Sequence, residues 1–173
     1  MTSRATIFDL LDDSHSENIE WIGTLLFSHL MIEQILEELL IHAFSQNGQA
    51  IGASKLKGFA NKTILAEATS ISVDGRMQAI LSPSLAAALR KFNQLRNTLA
   101  HTYGVIPSTQ ELHDIVASFE KAGVDFSDHM ASSIESAEEL GYDAQTMLHE
   151  CTKNVFFHLG FLLAEAGGPN RIS

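Results

Sequence analysis

Cysteine is nearly absent: Cys151 stands alone among 173 residues. A single thiol excludes a disulfide framework within the chain and any zinc site built on cysteines. Prolines number only three, and no glycine-rich or low-complexity tract divides the sequence. Without a linker or a repeat, the length fits one domain, residues 1–173, with a core over about 17–166. Long hydrophobic runs are missing too. The most apolar late stretch, 155–164, is half of the roughly 20 residues that a membrane span needs, and His158 interrupts it. The opening Met1-Thr2-Ser3-Arg4 is not followed by the apolar core of a signal peptide. A cytoplasmic protein with no membrane partner is the expectation.

Positive charge is scarce, with 11 Lys and Arg against 21 Asp and Glu, a formal net charge of −10. That balance argues against indiscriminate nucleic-acid binding. The distribution says more than the sum. Residues 1–53 carry −7 and residues 106–173 carry −8, whereas residues 54–105 carry +5. The middle third is a basic island, and solvated helix faces would produce the same pattern.

Helical periodicity fills most of the chain. From Glu17 to Phe44, Trp21, Ile22, Leu25, Leu26, Met31, Ile32, Ile35, Leu36, Leu39, Leu40 and Ala43 recur in steps of three and four. Gln46-Asn47-Gly48 closes that helix with turn chemistry. A second helix is expected from about Ser54 to Thr69, burying Leu56, Phe59, Ile64, Leu65 and Ala68. Asp74-Gly75 marks a turn in weakly structured sequence. Ser82 as N-cap and Pro83 at the first helical position open a third helix that runs to about Tyr103. The capping box Ser108-Thr109-Gln110-Glu111 starts a fourth, ending at Gly123. After an acidic stretch to Gly141, a last helix spans about Asp143 to Ala166 and stops at Gly167-Gly168-Pro169. No segment shows the alternation of a strand. The expected fold is all-α, an up-and-down bundle of four to five helices.

The third helix ends in Leu95-Arg96-Asn97-Thr98-Leu99-Ala100-His101-Thr102-Tyr103. Asn97 and His101, four apart, share a helix face. Arg96 and His101, five apart, diverge by about 140° around the axis. One copy therefore does not set guanidinium and imidazole side by side. The spacing Arg96-Asn97-x-x-x-His101, with an apolar residue before the Arg, Ala before the His and Phe59-x-x-Lys62 on the preceding helix, resembles the HEPN superfamily. The resemblance covers the long first helix through Tyr103.

That resemblance implies a helical homodimer whose two motifs meet in one cleft, acting as an endoribonuclease without a metal or other cofactor. It implies His101 as acid and base, Arg96 on the scissile phosphate and Asn97 orienting the imidazole or the phosphate. An imidazole with a pKa near 6.5 suits a ribose 2′-hydroxyl nucleophile, and a guanidinium suits a phosphate. Lys62, Arg90 and Lys91 are candidate RNA contacts, and Glu33 or Glu37 is a candidate support for Arg96. Arg-x4-His-x-Tyr further resembles toxins paired with a nucleotidyltransferase antitoxin, which implies Tyr103 as a modification site. Packing at the helix end is the other reading of Tyr103.

The remaining histidines read as structural or surface groups. Glu33, Glu37, Glu38 and His42 contain a four-residue Glu-His step, but a di-metal bundle needs matching Glu-x-x-His pairs that are missing. No metal is expected. Two readings stay open beside the nuclease: a non-catalytic dimer acting as regulator or adaptor, and an RNA- or nucleotide-binding module without cleavage.

Overall fold

The computed structural model describes residues 16–52, 56–102, 106–126, 135, 139 and 141–171. Among them, five helices and one hairpin follow in the order α1 (Ser16–Gln46), α2 (Phe59–Ala68), β1 (Ser70–Val73), β2 (Arg76–Ala79), α3 (Pro83–His101), α4 (Thr109–Lys121) and α5 (Ala144–Glu165). The fold is mostly helical, an all-α bundle with a small two-stranded appendage. None of the described helices is long and apolar enough to cross a membrane.

Helix α1 is the spine, 31 residues, or about 46 Å at 1.5 Å per residue. Its buried stripe, Trp21, Leu25, Ile32, Ile35, Leu36, Leu39, Leu40 and Ala43, packs on α5, α2 and α3. Asn47-Gly48 ends it as expected: Gln49 N–H donates to Phe44 O at 2.9 Å and Gly48 N–H to Ser45 O at 3.0 Å. These two bonds satisfy carbonyls that a helix end leaves orphaned. The same pair of bonds closes α4 at Gly123 and α5 at Gly167.

The starts of α3, α4 and α5 follow their capping residues. Ser82 accepts from Leu85 N–H ahead of Pro83, Ser108 and Glu111 exchange both bonds of a capping box, and Asp143 accepts from Thr146 N–H. Phe92 of α3 and Phe119 of α4, both fully buried, meet edge to face with centroids 6.4 Å apart.

Two expectations need correction. Helix α2 starts at Phe59 rather than Ser54, because Gly58 takes φ 77°, a left-handed value no α-helix continues through. Residues 53–55 lie outside the described part. Its buried face is Phe59, Lys62, Thr63 and Ala66, so Ile64, 57% exposed, and Ala68 point outward instead.

The second correction concerns the stretch around Asp74-Gly75, which is an antiparallel hairpin pairing Ser70 with Ala79 and Val73 with Arg76. Asp74 at φ 50° and Gly75 at φ 75° supply the two positive φ angles of a type I′ turn, whose twist matches the strands. Ile71 is buried beneath it. The side-chain amide of Gln46 pairs with the Ser72 backbone, accepting from its N–H at 2.9 Å and donating to its carbonyl at 3.1 Å.

Candidate functional site

The motif occupies the last two turns of α3. Capping at Ser82 and burial of Leu85, Leu89, Phe92 and Leu99 fix the rotation of this helix against the core. That rotation leaves Arg96 and Asn97 half-buried and His101 exposed on the final turn. Arg96 Nη1 donates to Asn97 Oδ1 at 3.0 Å. Its Nε is buried and has no hydrogen-bond partner. No hydrogen bond joins Arg96 to His101, as the 140° offset requires of a single copy. Tyr103 lies outside the described residues.

One turn before Arg96, α3 meets one of the histidines read as structural or surface groups. His29 of α1 is 5% exposed, stacks on Phe59 at 4.2 Å and donates through Nε2 to Asn93 Oδ1 at 2.9 Å. Burial pushes its pKa down, outweighing the Asn93 hydrogen bond that raises it, and the Arg96 charge pushes it lower still. The ring is therefore neutral near pH 7, held between α1 and the motif helix. Its other nitrogen, Nδ1, is 3.7 Å from Glu33, beyond hydrogen-bond range.

Glu33 and Glu37 are placed by Lys62 rather than by Arg96. Lys62 is 5% exposed and its Nζ sits 2.9 Å from Glu33 Oε1 and 2.6 Å from Glu37 Oε2. Burial pulls the ammonium down, but the bonds from Glu37 and Glu33 outweigh it and raise its pKa above the ordinary value. Lys62 is thus placed as a buried ion-pair group and not as a surface cation. The other two expected contacts are also engaged, on the surface. Arg90 pairs with Glu67 at 2.8 Å, and Lys91 Nζ donates to Asp114 O at 2.9 Å and Ser118 Oγ at 3.2 Å. Much of the basic island is answered by acids and carbonyls folded onto it.

The acidic face of α1 disperses toward different partners. Glu38 takes Arg171 at 2.8 Å, and His42 Nε2 donates to Ala166 O at 2.9 Å. Among the described residues no three His, Cys, Asp or Glu come together as metal ligands. Cys151 is buried in the core, where burial pushes its thiol up to about 12, so it is held as an inert thiol.

Lys62 carried a readable signal of burial, since it falls three residues after Phe59 and four before Ala66. His29 carried none, because its partner is 64 residues away. In comparison with known proteins the chain matches no family model, no curated protein and no solved structure, so the HEPN resemblance rests on the residues quoted from its sequence.

Proposed function

We propose that this chain is a metal-independent endoribonuclease of the HEPN type, working as a cytoplasmic homodimer on RNA. One observation carries the reading. Arg96 stands half-buried near the end of α3 with an unpartnered Nε and no described carboxylate, about 1.4 turns along the same helix from an exposed His101. A guanidinium held away from acids suits a phosphate diester. His101 takes the proton from the ribose 2′-hydroxyl, whose oxygen attacks the adjacent phosphorus. The 5′-oxygen leaves and is protonated by a second imidazole, that of the other copy, giving a 2′,3′-cyclic phosphate. Asn97, bonded to Arg96, orients the guanidinium.

Dimerisation supplies what the 140° offset withholds from one copy. Phe27 and Leu30, 62% and 60% exposed, lie on the outer side of the same α1 segment whose inner side carries His29 to α3. Exposed apolar side chains on this helix suit a second copy. A nucleotidyltransferase antitoxin acting on Tyr103 fits the same reading.

The test is cleavage of single-stranded RNA in EDTA by purified protein, with light scattering for the dimer. Activity in EDTA that disappears in both Arg96→Ala and His101→Ala, with helical circular dichroism retained, is the expected result. Activity surviving both substitutions rejects the mechanism. The net charge of −10 and the answered cations Arg90 and Lys91 favour one rival, the non-catalytic regulator. Inactivity on every RNA, with a dimer intact, selects it.

A further inference from the structure

We infer that Lys62 and Asn93 are positioning residues that keep carboxylates away from Arg96, leaving its guanidinium open to a phosphate-type oxyanion. This deepens the nuclease reading and rests on it for the identity of the oxyanion. Three described cations are not exposed: Lys62, Arg96 and Lys153. Lys62 holds Glu33 and Glu37, and Lys153 holds Glu150 at 3.5 Å. Among the described residues Arg96 alone of the three has no carboxylate partner, in a chain with nearly twice as many acids as bases. An unpaired buried donor is costly, which makes its persistence here informative.

Two devices maintain it. The first is distance by capture. Glu33 lies 3.7 Å from His29, and His29 bonds Asn93, one helical turn before Arg96. Only the width of an imidazole separates that carboxylate from the motif helix. Lys62 draws Glu33 and Glu37 together toward α2 and neutralises part of their charge. The second device is the choice of amide. Positions 93 and 97 neighbour Arg96 and His101 on α3 at helical spacings where a carboxylate would form an ion pair. Both are Asn, able to bond His29 and Arg96 without adding charge.

The experiment measures anisotropy of a labelled 2′-O-methyl oligoribonucleotide, which binds as RNA does but lacks the attacking hydroxyl, alongside thermal unfolding. Asn93→Asp keeps the shape and the His29 contact but sets a carboxylate one turn from Arg96. Asn93→Ser loses much of the His29 contact and adds no charge. The Asp variant is expected to stay folded and lose at least about tenfold in affinity to a charge-paired Arg96, while the Ser variant binds close to wild type. A merely structural role reverses that order, and the reverse order overturns the inference. Lys62→Met is expected to weaken binding, and Lys62→Met combined with Glu33→Gln to recover most of it without recovering the melting temperature. Failure of that recovery in a folded double variant also overturns it. A wild-type chain that binds but never cleaves removes the nuclease and leaves the anion site standing. Binding unchanged in Arg96→Ala removes the anion site itself.

Discussion

Lys62 on α2 is buried and Arg96 on α3 half-buried, on the two helices that contact His29, yet the molecule treats them in opposite ways. Lys62 meets two carboxylates from successive turns of α1. Arg96 meets one side-chain amide and keeps a buried Nε without a partner. A buried charge with its counter-ions locks elements in register, whereas a half-buried cation without them retains binding capacity. Under the proposed function, the difference separates a cation that holds helices together from one that receives a phosphate.

Removing the Lys62 ammonium breaks the comparison most severely. Lys62→Met leaves Glu33 and Glu37 facing apolar surface and is expected to cost about 2–3 kcal/mol in urea unfolding, under the ~3–5 of a fully buried pair because Glu37 is partly solvated. A loss below that of an ordinary surface substitution would mean that the clamp is not structural. The next effect is on acid stability. His29 and His158 are both lowered by burial from 6.5, so the unfolded chain takes up protons first as the pH falls. Their contribution is present above about pH 6.5 and is lost as the pH drops toward their folded values, by at most about 1.4 kcal/mol per group for each pH unit. His29→Gln is expected to flatten this slope between pH 6.5 and 5, read from urea midpoints. An unchanged slope would show that His29 is not the neutral group described.

Smaller still is Glu33→Gln, where Lys62 keeps Glu37 and the new amide still accepts. About 1 kcal/mol is expected, and a loss matching Lys62→Met would make Glu33, not the pair, the anchor. Smallest is Arg96→Met, which deletes an orphaned donor, the bond to Asn97 and no ion pair among the described residues. Stability within about 0.5 kcal/mol of wild type, or slightly above it, is expected. A large loss would place Arg96 with Lys62 as a structural cation.

The bundle was legible because its signals are local. Ser82-Pro83, the Ser108–Glu111 box, Asp143 and the positive-φ glycines after α1, α4 and α5 act within four residues of the helix ends they set. The hairpin escaped because strands of four residues hold too few apolar positions for period two to register, although Asp74-Gly75 between Ile71 and Met77 is hairpin chemistry. The motif's place on the last turns of α3 was readable from Arg96, Asn97 and His101. Its surroundings were not: Glu33 and Glu37 read as candidate supports for Arg96, and Lys62 as a candidate RNA contact, because their pairing joins positions 25 to 29 residues apart. His29 to Asn93 spans farther still. Spacing along one helix shows which groups share a face, but only packing shows which of them are already taken.

The most direct measurement is the chemistry of the cut ends. Single-stranded RNA incubated with the wild-type chain in EDTA, then analysed by mass spectrometry, should yield 2′,3′-cyclic phosphate and 5′-hydroxyl termini. The same strand carrying 2′-O-methyl groups should remain intact, and Arg96→Ala and His101→Ala should give no such termini. Ends bearing a 5′-phosphate and 3′-hydroxyl, or cutting of the 2′-O-methyl strand, would contradict attack by the 2′-hydroxyl and with it the roles given to Arg96 and His101.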